Sequence, residues 1–193
     1  VEILNNFIEL PQVIDSKYQE TIYNTLTDIK FPWYYMPDTT YEVKQPQWSN
    51  SPAFGHLLYS QNTKSEYLDL FTPLMQTAID QAGLKLISPL RLRLGFLLNT
   101  IYPLPSIGYR HNTPHVDFET DHYTICYYVN SSDGPTIVFN EKEKSEKYTK
   151  MKSIEPRQGT AICFDGKYYH ASTCPKMNMS RIVLTINFTA EPK

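Results

Sequence analysis

His115-Val116-Asp117 sets an imidazole and a carboxylate two residues apart. On an extended chain such residues project to the same side, so two metal-ligating groups stand next to each other. His170 is the candidate third ligand: it follows the apolar run Thr160–Phe164 and a turn at Gly166, and it precedes a further strand. Two imidazoles and one carboxylate on one face of a metal leave its opposite positions open for reactants. The tripeptide alone is a weak signal, because short motifs recur by chance. The run Arg181-Ile-Val-Leu-Thr-Ile-Asn-Phe188 strengthens it. Alternation puts Arg181, Val183, Thr185 and Asn187 on one side, and Ile182, Leu184, Ile186 and Phe188 on the other. An arginine and a threonine on an inward face call for an anion, and a guanidinium pairs a carboxylate in bidentate fashion. Tyr128, on the predicted strand 123–129, offers a phenol to the same region.

The elements that must position these groups are mainly strands. Predicted strands cover 90–101, 115–118, 123–129, 136–139, 160–164 and 181–188, separated by turn signals such as Ser132-Asp133-Gly134-Pro135 and Asp165-Gly166. No helix-period stretch lies between them, which argues against a parallel βαβ sheet and for a sandwich or jelly roll. Upstream, Asp15 or Ser16 is placed to cap a helix reaching about Ile29, and a second helix is expected over 65–82 with Gly83 as its stop. Residues 33–63 read as short strands and loops, with Trp33, Tyr34, Tyr35 and Trp48 as core or rim aromatics. The Lys/Glu-rich 141–152 reads as a solvated loop, or as a loop over a site.

The chain has 193 residues, enough for one domain with a sizeable core. With 18 basic and 20 acidic residues, the net charge of −2 gives no reason to expect nucleic acid as a partner. No apolar run is long enough for a membrane helix, and no secretory leader is visible, so a cytoplasmic location is expected. Cys126, Cys163 and Cys174 are odd in number and form no CxxC pair, which points to free thiols rather than a disulfide framework or a zinc site. His56, His111 and His122 read as structural histidines or ordinary polar surface residues; Pro114 argues against a helical His111/His115 metal pair.

Over residues 90–190 the sequence resembles the Fe(II)/2-oxoglutarate-dependent dioxygenases, and within them the prolyl 4-hydroxylase and hypoxia-type prolyl hydroxylase branch. The HxD…H pattern falls on His115, Asp117 and His170, and the RxxxT end strand on Arg181 and Thr185. Tyr127-Tyr128-Val129-Asn130 is similar to the YYLN segment of that branch, and Ile101-Tyr102-Pro103 to its Tyr-Pro. Asp133-Gly134-Pro135-Thr136 stands where that branch has GGxL or GGET, with Asp133 replacing the first glycine. Ile154-Glu155-Pro156 followed by Gly159 resembles the run into its seventh core strand.

The resemblance implies a double-stranded β-helix, a cupin-like jelly roll of two four-stranded sheets, with N-terminal helices in support. Residues 1–193 then form one domain, with 1–85 as support and 86–193 as catalytic core. It implies Fe(II) held by His115, Asp117 and His170, and 2-oxoglutarate held by Arg181, Tyr128 and Thr185, with Tyr102 and Thr136 as further contacts. O2 is the second cosubstrate and ascorbate a reductant. The implied reaction is hydroxylation of a prolyl residue in a peptide or protein, with a free amino acid or other small metabolite as the alternative. Halogenating relatives lack the carboxylate that Asp117 supplies, which argues against halogenation. A non-catalytic cupin-like metal-binding module is the alternative of another class, and it has no use for Arg181.

Overall fold

The computed structural model describes residues 7–40, 51–99 and 111–193. Two antiparallel sheets dominate. The larger has the order β1-β9-β6-β11-β5-β3-β2, with β4 paired to β3; the smaller has the order β10-β7-β8. Their ranges are β1 (Phe7–Leu10), β2 (Tyr34–Met36), β3 (Ala53–Ser60), β4 (Thr63–Lys64), β5 (Leu84–Leu98), β6 (Tyr123–Tyr128), β7 (Thr136–Phe139), β8 (Lys150–Ile154), β9 (Ala161–Asp165), β10 (His170–Ser172) and β11 (Ser180–Pro192). This is the jelly roll expected from the strand pattern, but its sheets are unequal. The upstream segment supplies β1 to β4, and these extend both edges of the larger sheet.

Two helices cover the outer face of that sheet. α1 (Ser16–Thr27) starts at Asp15, whose carboxylate accepts the Tyr18 N–H at 2.9 Å. It ends before Ile29, where the helix was expected to reach, and Ile29 is solvent-exposed. The chain turns at Asp28, whose carbonyl accepts the Phe31 N–H, and Phe31 enters the core instead. α2 (Leu68–Gln81) begins three residues later than expected, because the Ser65 hydroxyl is taken up by His56 and the Tyr67 N–H. Gly83, with φ +72°, follows it in the left-handed region that favours glycine.

The inner and outer faces follow the alternation of β6 and β11. Ile125 and Tyr127 of β6, with Ile182, Leu184, Ile186 and Phe188 of β11, join Ile22, Leu26, Phe71, Leu74 and Ile79 in the main core. Each such side chain stabilises the fold by about 1.5–3 kcal/mol on burial. Cys126, Tyr128 and Val183 face the other way, against Val138, Ile162 and Phe164 between the sheets.

Two further expectations change. Residues 115–118 do not form a strand; they make one antiparallel bridge, His115 to His170. Pro114 has no N–H to extend the ladder, so the segment runs beside β10 through the paired His115 and His170 backbone bonds and an Asn112 N–H to Ser172 carbonyl bond. The charged 141–152 segment is not all loop: Lys150–Ile154 is β8, paired with β7. Its lysines are exposed on a sheet edge, a placement that discourages pairing with other chains.

Candidate metal centre and adjoining anion pocket

The bridge beside β10 brings His115 and His170 together, and the chain bends at Asp117 to complete the set. One ligand atom from each of the three lies within 4.8 Å of the others. Asp117 Oδ2 is 3.6 Å from His170 Nε2, and Asp117 Oδ1 is 3.9 Å from His115 Nε2. His115 Nδ1 lies 3.1 Å from the Thr113 carbonyl, and His170 Nδ1 lies 3.2 Å from the Tyr168 carbonyl. A carbonyl only accepts, so each Nδ1 carries the proton and each Nε2 presents a lone pair toward Asp117. That is the tautomer a metal requires, and the donor set fits a divalent ion such as Fe(II).

The charge states agree. Burial pulls the His115 pKa down to about 4, with His170 adding to the effect, and burial also lowers that of His170. Burial alone would raise the Asp117 carboxyl, but the Arg91 guanidinium, both imidazoles and the Asn187 amide overcome it and hold the group well below the usual carboxylate range. Near neutral pH the set is two neutral imidazoles and one carboxylate. A pH dependence follows for the metal-free protein. The unfolded chain takes up the histidine protons first, so the stability these groups contribute is present above pH 6.5 and drains away toward pH 4. Thermal unfolding from pH 7 to 4.5 is expected to show Tm falling by roughly 5 °C or more, equivalent to about 2 kcal/mol. A flat Tm would contradict the assigned charge states.

Arg91 and Asn187 stand behind Asp117, and the sequence reading gave neither a role. Arg91, on β5, donates to Asp117 Oδ1 and, through Nε, to Asn187 Oδ1 at 3.1 Å. Asn187 Nδ2 donates to Asp117 Oδ2 at 2.8 Å. The two residues are register partners across β5 and β11.

Beyond the triad lies a cavity of about 100 Å³, lined among others by Arg181, Thr136, Thr185, Val183 and Cys126. Arg181 is only 5% exposed. Its Nε donates to the Gly134 carbonyl at 2.8 Å and its Nη2 to Thr136 Oγ1 at 2.7 Å. The buried Tyr128 phenol donates to the same Thr136 oxygen at 2.9 Å, and burial raises its pKa so that it stays protonated. Among the described residues no carboxylate lies within ion-pairing distance of Arg181. A buried guanidinium without an acid partner is costly unless an anion joins it. Burial pushes the Cys126 thiol up to about 12, and the thiol shares a hydrogen bond with Thr185. Of the residues predicted for the cosubstrate, Arg181, Tyr128 and Thr136 form one bonded cluster and Thr185 lines the same cavity. Tyr102 lies outside the described residues.

Asp133 and Gly134 position this cluster. Asp133 replaces a glycine of the resembling pattern for a visible reason: its carboxylate accepts the N–H groups of Lys176, Met177 and Asn178. At Gly134 a Cβ would lie 2.5 Å from the Thr173 carbonyl oxygen, so only glycine fits beneath Arg181.

Comparison with known proteins completes the description. A 2OG-Fe(II) oxygenase family member from Burkholderia pseudomallei superposes with a TM-score of 0.66 at 12% identity, covering 97% of this chain and 86% of that one. The fold is that of the 2OG-Fe(II) oxygenases. A Trichoplax adhaerens prolyl hydroxylase in complex with a hypoxia inducible factor peptide fragment shares this oxygenase fold, at TM-score 0.63 and 11% identity over 96% of this chain and 84% of that one. So does SnoN, an α-ketoglutarate-dependent epimerase of nogalamycin biosynthesis, at TM-score 0.62 and 10% identity over 96% and 78%. No protein-family model and no curated protein sequence matches the chain. The oxygenase fold thus serves more than one reaction. Among the described residues, no helix is long and apolar enough to cross a membrane, and all three cysteines are free thiols.

Proposed function

We propose that this chain is an Fe(II)- and 2-oxoglutarate-dependent dioxygenase that hydroxylates a prolyl residue in a peptide or protein. In this reading 86–193 is the catalytic core and 1–85 its support, within one domain. The observation that carries it is Arg181: a buried guanidinium, without an acid partner among the described residues, on the wall of the cavity that opens onto the His115, Asp117 and His170 set.

His115, Asp117 and His170 hold Fe(II) from one side, and Arg91 with Asn187 fix the orientation of the Asp117 carboxylate. Arg181 receives the far carboxylate of 2-oxoglutarate, with Thr136, Tyr128 and Thr185 supplying hydroxyl contacts. Val183 and Leu97 line the cavity with apolar surface and exclude water from the bound cosubstrate. Bound iron supplies oxygen activation, coupled to oxidative decarboxylation of 2-oxoglutarate to succinate and CO2 and to insertion of one oxygen atom into a substrate C–H bond. Ascorbate is the reductant that keeps the iron ferrous. The prolyl substrate rests on the resemblance to the prolyl hydroxylase branch and is in keeping with the peptide-bound prolyl hydroxylase that shares the fold.

The test is succinate formation by anaerobically Fe(II)-loaded protein, with and without a panel of proline-containing peptides, using His115→Ala as the blank. Peptide-stimulated turnover is expected. Turnover without stimulation would move the substrate to a free amino acid or other small metabolite. No turnover with iron bound would leave a cupin-like metal-binding module.

A further inference from the structure

Two residues hold the Asp117 carboxylate, and one of them would suffice to orient it. Asn187 is fully buried on β11. Its amide donates to Asp117 Oδ2 at 2.8 Å and to Thr124 Oγ1 at 3.1 Å, so the residue that orients the carboxylate is itself fixed. Those bonds carry no net charge. Arg91 adds a bond to Oδ1 and, with it, a positive charge one hydrogen bond away from a metal-ligating group. A guanidinium stays protonated in proteins.

That charge is held in place. The Arg91 Nε is taken by Asn187 Oδ1 at 3.1 Å, and the guanidinium carbon lies 5.2 Å from the centre of the Phe118 ring, whose face favours a cation. Among the described residues, Asp117 is the acid within ion-pairing distance of Arg91, so its charge is not drawn to another carboxylate. It reaches the other two ligands as well. Burial is the main reason that His115 and His170 resist protonation, and the Arg91 charge acts on both in the same direction. A field that opposes a proton on these imidazoles also opposes positive charge on a metal between them, and the opposition grows with the charge of the ion. A cation beside a cation site works against binding, so orientation of Asp117 alone does not account for Arg91.

Resting on the dioxygenase reading, we infer that Arg91 is a positioning residue that acts through Asp117 to hold bound iron in the ferrous state. Hydrogen bonds and charge around the ligand atoms are the levers by which proteins set the potential of iron. The step concerned is the transfer of one electron from ferrous iron to dioxygen, which leaves ferric iron and superoxide; ascorbate returns the electron. Arg91 makes that loss harder, because its charge disfavours the ferric ion more than the ferrous one.

The test is the Fe(III)/Fe(II) midpoint of the full chain, loaded anaerobically with iron and without cosubstrate or substrate. A mediated titration followed by the ferric electron paramagnetic resonance signal gives it. Arg91→Gln keeps a donor for Asp117 and loses the charge. Its ferric-to-ferrous ratio at a fixed potential should rise about tenfold or more, equivalent to a midpoint lower by about 59 mV for one electron. Arg91→Lys keeps the charge and loses the fork, and should return most of that shift, whereas a purely structural role would move the two variants together. Phe118→Glu sets a carboxylate against the guanidinium without removing either bond to Asp117. It should raise the ratio about threefold, and it holds the inference to test should Arg91→Gln not fold. A wild-type midpoint in Arg91→Gln or Phe118→Glu, or equal shifts in Arg91→Gln and Arg91→Lys, would overturn the inference. Iron content is measured first. A wild-type chain that binds no iron would defeat the dioxygenase reading and this inference together, whereas bound iron with an unmoved midpoint would defeat this inference alone.

Discussion

Arg181→Ala is expected to abolish 2-oxoglutarate turnover, by two to three orders of magnitude, while Fe(II) binding stays nearly intact. Removing one partner of a buried charge pair costs about 3–5 kcal/mol, because the remaining charge is left without compensation. Each 1.4 kcal/mol is a factor of ten in binding. The cosubstrate's far carboxylate would enter a cavity that, among the described residues, has lost its guanidinium at that end, with Thr136 and Tyr128 as neutral contacts. The metal ligands sit on other segments, and their supports, Arg91 and Asn187, are untouched. The fold loses the bonds from Arg181 to Gly134 and Thr136, so circular dichroism and Tm should accompany the assay. Arg181→Lys, which keeps the charge and loses the fork, should recover part of the activity. Unchanged turnover in Arg181→Ala would remove the pocket assignment.

His170→Ala is expected to lose iron. Outer-shell substitutions around metals cost about 10–100-fold in affinity, so loss of a direct ligand should cost roughly 100-fold or more. The bridge that aligns His170 with His115 is made by backbone N–H and carbonyl groups, which alanine retains. Loss of metal is therefore separable from loss of fold. Metal content after anaerobic loading and gel filtration is the measurement, with Tm as the check on folding. Full retention of iron would strike His170 from the ligand set.

The alternation of residues 181–188 was legible because it is strict: the apolar side lies in the main core and the Arg181 side faces the cavity. The HxD segment was legible as chemistry but not as geometry. Period-2 reasoning assigns it a strand, whereas Pro114 limits it to a bridge and a bend brings Asp117 to the histidines. Arg91 and Arg93 went unread because charged residues alternating with Leu92 and Leu94 look the same whether the charged side meets solvent or an internal site; only tertiary packing distinguishes the two. The unequal sheets were hidden for a related reason. Short segments such as Phe7–Leu10 and Lys150–Ile154 become strands through the partners they find, β9 and β7. Trp33 packs against Phe31 and Phe96 as a core aromatic, while Tyr34 and Tyr35 are exposed. Trp48 lies outside the described residues.

One strand, β11, carries Arg181 near one end and Asn187, the support of Asp117, six residues along. The separation between the two functions is therefore counted in residues, at about 3.4 Å each. Changes of side chain along this stretch act one position at a time. A single insertion or deletion between 181 and 187 would instead rotate every residue on one side of it to the opposite face, sending a guanidinium into the helix-backed core and an isoleucine into the cavity. The stretch tolerates no change of length, whereas the 141–149 connection carries no such count, so a change of length there leaves the spacing between Arg181 and Asn187 as it is.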